Sequence, residues 1–132
     1  MQTRLYVRNL AIVEQVDLVF EKGFSVLTGE TGAGKSILID ALALLLGARA
    51  DTGLIRHGTT KAEVMAAFEI DKDSDAARWL IDNDLFDDEE CVLRRLIHTD
   101  KPTRAFINGR PAPIQWLRDL GSLLVDIHGQ HV

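Results

Sequence analysis

Gly29-Glu30-Thr31-Gly32-Ala33-Gly34-Lys35-Ser36 is the stretch of this chain best equipped for chemistry. It fits G-x-x-x-x-G-K-[ST], the pattern of a phosphate-cradling loop. Gly29, Gly32 and Gly34 let the main chain approach a ligand closely, so that successive N–H groups converge on phosphate oxygens as an anion nest. A helix opening near Lys35 would aim its unpaired N–H groups and partial positive end at the same place. The Lys35 ammonium can reach β- and γ-phosphates, and the Ser36 hydroxyl is a hard oxygen ligand suited to Mg²⁺. The flanks agree with this reading. Phe24–Thr28 has strand character, and Ile37–Leu46 is an apolar run of helix formers.

Other reactive side chains are sparse. Cys91 is the single cysteine, so an internal disulfide is impossible and a small buried apolar residue is expected. His128 and His131 have no further Cys or His nearby, a poor zinc pattern that favours structural or polar-loop roles. Leu123–Ile127 reads as a buried strand delivering His128-Gly129-Gln130-His131 at its C-terminal end, where open α/β sheets bind ligands. A neutral amide there, Gln130, can reach Mg²⁺ or orient an attacking water.

The remaining elements must position these groups. Leu5–Val7 reads as a strand, residues 9–12 as a turn-like joint, and Val16, Leu18 and Phe20 as a strand with one face buried. A helix from Ser36 to about Leu46 is apolar nearly all round and so needs cover on several sides, with Gly47 as a left-handed cap. A loop follows from Ala48 to Thr60, then a strand over 62–70. A helix over 73–83 can be capped by Ser74 or Asp75. Strands follow at 90–99 and 104–107, with Asn108-Gly109 as a tight turn. Pro113 suits the first position of a helix that ends at Gly121.

The 132 residues match one domain, and 46% hydrophobic with 27% charged residues is a soluble globular composition. The first ten residues have no apolar core of signal-peptide length, which points to the cytosol. Ile37–Leu46 is short of the roughly 20 residues a membrane span needs. Net charge is −5, so no overall basic field attracts nucleic acid. The charge is uneven, with nine acids in 71–90 against Lys72 and Arg78, and six bases in 91–118 against Asp100. Two solvated faces are expected, of opposite sign and so able to pair with each other. The basic stretch, Arg94 and Arg95 above all, is the candidate for phosphate contact with DNA.

Val7–Glu14, Leu27–Ile37, Leu45–Asp51, Phe106–Gly109 and Val125–His131 together resemble the N-terminal head segment of the RecN family. These are bacterial double-strand-break repair proteins of the SMC superfamily, related to ABC-type ATPases. The resemblance implies an α/β P-loop NTPase fold: the N-terminal lobe of an ABC/SMC-type ATPase head with an antiparallel β subdomain. Residues 1–132 would be a single domain, half of a split head whose coiled coil and C-terminal lobe lie elsewhere. It implies that Gly29 to Ser36 is the Walker A motif binding ATP. Lys35 and Gln130 would act in catalysis, with Gln130 as the Q-loop glutamine joining Ser36 at Mg²⁺. Arg56 lies where SMC heads place a loop arginine near the nucleotide of the dimer. Many SMC-type heads carry a basic residue where this chain has Ala11. Implied partners are the C-terminal lobe, a second head in an ATP-bound homodimer, and DNA. The implied location is the bacterial cytoplasm, at the nucleoid.

No apolar run here ends in Asp-Glu and no Leu-Ser-Gly-Gly occurs, so a Walker B strand and signature loop are expected from elsewhere. Alone, the chain is expected to hydrolyse little or no ATP. Two alternatives stand beside this. A complete small kinase would use Asp126 as metal ligand and Arg94, Arg95 and Arg104 as lid residues. A non-enzymatic dimerisation module would use apolar surface and open sheet edges.

Overall fold

The computed structural model describes residues 3–20 and 32–128, with side chains described at 3–19 and 37–124. The expected strand at 24–28, residues 29–31 of the glycine-rich loop, and Gln130 with His131 lie outside the described residues. Strand β1 (Thr3–Leu10) turns at Ala11-Ile12 into β2 (Val13–Phe20). Helix α1 (Gly32–Leu45) follows, and then a 3₁₀ turn at Thr52–Leu54. After β3 (Lys61–Glu69) come α2 (Asp75–Asp82), β4 (Glu90–His98), β5 (Arg104–Ile107), β6 (Arg110–Ala112) and α3 (Ile114–His128). The strands form one antiparallel sheet in the order β2-β1-β3-β4-β5-β6.

Alternation along the strands gives the sheet two unlike faces. Leu5, Val7, Val64, Ala66, Phe68, Cys91, Leu93, Ile97, Ala105 and Ile107 are buried on one face together with Ala41, Leu44 and Leu45 of α1. The opposite face carries Arg4, Arg8, Glu63, Arg94 and Arg104. Arg4 donates to Asp17 at 2.7 and 2.9 Å across the first hairpin, and this bond holds the Asp17 carboxyl below its usual range. Arg94 pairs with Glu63 at 2.6 Å, and both Arg94 and Arg104 lie over the Phe106 ring. The expected cover around α1 is incomplete, because Ile39 is 48% exposed on the side away from the sheet.

The turn residues do what their types permit. Asn108 (φ 50°) and Gly109 (φ 82°) both occupy left-handed backbone, which closes a two-residue hairpin onto β6. Strand β6 is absent from the sequence reading; Pro111 argues against a strand, but β6 is an edge, where a missing N–H costs no ladder bond. The Asn108 side chain accepts from Val92 N and donates to Leu85 O, both at 2.8 Å, tying this turn to β4 and to the loop after α2. Ser74 caps α2 by accepting from Ala77 N at 3.1 Å, as its position implies. Trp79 and Trp116 meet edge to face at 5.6 Å and join α2 to α3.

The largest departure from expectation is at the C-terminal end. Leu123–Ile127 is not a strand: the helix runs unbroken from Ile114 to His128. Gly121 does not end it. That glycine is buried with Leu46 so close that a Cβ would meet Leu46 Cδ2 at 2.7 Å, so its lack of a side chain serves helix packing. Leu117, Leu120 and Leu124 are all buried, and their spacing continues the helical face through the glycine. A short apolar run fits strand or helix equally well, and here the buried stripe decides. Pro113 sits one residue before α3, and its carbonyl accepts from Trp116 N at 3.0 Å.

Gly47 ends α1 as expected, at φ 95°. A Cβ at this position would also overlap Arg118 Cγ, whereas nothing lies within 4 Å of a Cβ at Gly58 (φ 89°). Gly47→Ala is therefore expected to cost about 2–3 kcal/mol in urea unfolding and Gly58→Ala only about 1 kcal/mol. Equal losses would show that the backbone angle alone matters.

Candidate functional site

The described part of the glycine-rich motif is the backbone of Gly32, Ala33, Gly34, Lys35 and Ser36, which forms the first turn of α1. The helix therefore opens inside the motif, a little earlier than the expected start at Ser36. Its first turn contains no acidic residue, so no carboxylate within that turn offsets the positive end of the helix dipole. A phosphate-bearing ligand fits this arrangement: unpaired helix N–H groups lie in the same turn as Lys35 and Ser36.

Beyond the burial of Ala41, Leu44 and Leu45 against the sheet, α1 is fixed at both ends. At its head, Ile37 and Leu38 line an apolar cavity of about 200 Å³ together with Val7, Val13, Val16 and Leu18 of β1 and β2. At its tail, Arg95 Nη1 donates to Leu44 O at 2.7 Å and to Ala48 O at 2.5 Å. Arg95 Nε reaches Thr103 Oγ1 at 3.3 Å, and Arg118 Nε donates to Gly47 O at 3.0 Å. Leu44 O lies in the last turn of α1, at the negative pole of its dipole, and also accepts from Gly47 N at 3.2 Å, while Gly47 and Ala48 lie just past the helix. Burial pushes the Arg95 pKa down, and the nearby Arg118 charge adds to this.

Arg95 is 1% exposed and points inward, which removes it as a lid or DNA-contact residue. Arg94 does face outward, but its charge is engaged by Glu63. The role of Arg95 and Arg118 in seating α1 is absent from the sequence reading. One signal was available: Arg95 falls in register with Cys91, Leu93 and Ile97, so alternation alone places it on the buried face.

Arg56 is half-buried on a loop strapped to the first hairpin. Arg56 N donates to Asn9 O at 2.8 Å, Ala11 N donates to Leu54 O at 2.6 Å, and Ile55 bridges to Leu10. The Thr59 hydroxyl closes the loop by donating to Arg56 O at 2.7 Å. Asn9 (φ 55°) and Ala11 (φ 53°) adopt left-handed backbone at this junction. Arg56 is thus built into the β1–β2 turn. No group of three or more metal-binding side chains occurs among the described residues.

The model of the AAA domain family matches residues 4–110. The chain belongs to that family. Within it, the chain is 51% identical to the DNA repair protein RecN of Vibrio cholerae over 131 residues, covering 99% of this chain and 24% of the relative. It is 42% identical to RecN of Bacillus subtilis over 132 residues, covering 99% of this chain and 23% of the relative. The stretch matched is the N-terminal segment of RecN, so the chain spans about a quarter of the length of the curated relatives. A structure described under ATP-driven dimerisation and DNA-stimulated activation of SMC ATPases superposes with a TM-score of 0.67 at 25% identity, over 91% of this chain and 76% of that one. The recombination mediator RecF shares the fold at 16% identity, with a TM-score of 0.62 over 89% of this chain and 29% of that one. The fold is the N-terminal lobe of an ABC/SMC-type P-loop ATPase head, and its antiparallel sheet is the expected β subdomain. The family is one of nucleotide-binding domains. A complete small kinase and a non-enzymatic module are not favoured.

Arg95→Met would keep the volume and remove the bonds to the α1 carbonyls. An unfolding free energy lower by about 3 kcal/mol is expected in urea, with Arg104→Met, on the open face, changing it by less than about 1 kcal/mol. Cys91 supplies no chemistry: it is fully buried, and burial pushes its thiol from 9.0 up to about 12. The unfolded thiol ionises first, so its stability contribution is complete below pH 9 and is lost as pH rises toward 12. Urea titrations across that window should show the fall, and Cys91→Ala should flatten it.

Proposed function

We propose that this chain is the ATP-binding lobe of a recombinational double-strand-break repair ATPase, completed by a C-terminal lobe of the same protein. The observation that carries the reading is the opening of α1: the segment Gly32–Ser36 is the first turn of a helix with no acid there to repel phosphate. In this reading Gly29, Glu30, Thr31, Gly32, Ala33 and Gly34 present main-chain N–H groups to phosphate oxygens. Lys35 neutralises the β- and γ-phosphates, and the Ser36 hydroxyl is an oxygen ligand for Mg²⁺. Mg²⁺, when bound, supplies the charge neutralisation that phosphoryl transfer requires. Gln130 joins Ser36 at that ion or orients the attacking water, and Arg56 approaches the nucleotide from the strapped loop.

The residues that polarise water and close the site across a dimer belong to segments outside this chain. Two completed heads would therefore associate when ATP is bound and separate after hydrolysis, coupling nucleotide state to the holding of DNA ends. This cycle belongs to the bacterial cytoplasm, at the nucleoid. No helix among the described residues is long and apolar enough to cross a membrane.

Calorimetry with ATP and Mg²⁺, paired with a phosphate-release assay, tests the reading. The chain alone is expected to bind without turnover, and a supplied C-terminal lobe of a matched RecN should restore hydrolysis. Lys35→Ala should abolish binding by the completed head while its circular dichroism spectrum stays unchanged. Rapid hydrolysis by the chain alone would refute the split site.

A further inference from the structure

At the tail of α1, remote from the glycine-rich loop, the structure holds a second concentration of positive charge. A cavity of about 380 Å³ opens between the 49–52 loop, the β4–β5 connection and the start of α3. Arg49, Arg95, His98, Lys101 and Arg118 line it, and no carboxylate does. Thr52 and Thr103 add hydroxyls, that of Thr103 already donating to Leu96 O at 3.0 Å, while Ala50, Ile97 and Ile114 make the apolar part of the wall. The acids nearest in sequence, Asp51, Asp100 and Asp119, are not part of the wall.

We propose that this cavity is a phosphate-binding site distinct from the loop at residues 29–36. Arg118 is held by Gly47 O just past α1, which pre-organises its planar fork, and Arg95, buried and bonded to Leu44 O and Ala48 O, supplies fixed positive charge behind the wall without itself reaching the ligand. Arg49 and Lys101 are exposed at its mouth, where they can close on an anion. Several cations with two hydroxyls and no carboxylate suit phosphate, which accepts many charge-assisted bonds. Because Arg95 and Arg118 also grip α1, occupancy would stiffen the tail of the helix whose head carries Lys35.

The inference is independent of nucleotide binding, and its test silences that site first. In a Lys35→Ala background, the amide resonances of residues 49–52 and 98–103 are followed during titration with pyrophosphate and, separately, with a short single-stranded oligonucleotide lacking terminal phosphates. A saturable shift with either probe supports the site. Pyrophosphate alone marks a free phosphate ligand, and the oligonucleotide marks a nucleic-acid backbone. Arg49→Ala with Lys101→Ala should weaken that binding about tenfold or more, since neither side chain has a recorded hydrogen-bond role in the fold. No saturable shift with either probe would overturn the proposal. So would shifts that the double variant leaves unchanged, or tighter binding of a glutamate-rich peptide than of both probes.

Discussion

One buried guanidinium organises this lobe. Arg95 leaves water at the cost of its hydration, and two main-chain carbonyls at the tail of α1 offset that cost. Leu44 O, in the last turn of α1, also accepts from Gly47 N at 3.2 Å, and Arg95 adds a charged donor both to it and to Ala48 O just past the helix, near the negative end of the dipole. Arginine suits the role because its charge persists even when burial lowers its pKa. A hydrophobic residue would fill the space, remove the donor to Ala48 O and leave Leu44 O with the Gly47 N–H alone.

The consequence reaches the other end of the helix. Fourteen residues at about 1.5 Å each make α1 a rod about 21 Å long. Arg95 and Arg118 pin its tail, while Ile37 and Leu38 seat its head on β1 and β2. The position of Gly32–Ser36 therefore depends on a side chain from β4, far along the sheet. Gly47 and Gly121 make the clamp sterically possible. The first lets Arg118 lie across the end of α1, and the second lets α3 approach Leu46.

Much of the architecture was legible because local chemistry and tertiary packing agree. Strands β3 and β4 alternate cleanly, Ser74 caps α2, Gly47 takes the left-handed angle, and Asn108-Gly109 turns the chain. Illegibility began where local signals conflict or are silent. Pro111 argues against a strand and is allowed only because β6 is an edge. Gly121 suggests a stop, and the following apolar run suits strand and helix alike. Arg94 and Arg95 are identical in composition terms, yet one faces Glu63 in the open and the other a helix end in the core.

The residue order alone carried the phosphate-loop motif, the strands, the Asn108-Gly109 turn and the apolar character of α1, because each depends on residue types a few positions apart. It also carried the family resemblance through motifs spread along the chain. Which partner each charge meets was decided by the fold. Arg95 finds Leu44 and Ala48, Arg94 finds Glu63, and the cations around the 380 Å³ cavity find one another. Such pairings join residues dozens of positions apart, and no local rule of propensity or spacing specifies them. Only closing the sheet over its helices brings these groups within bonding distance, and that same closure turned a plausible final strand into the last turns of α3.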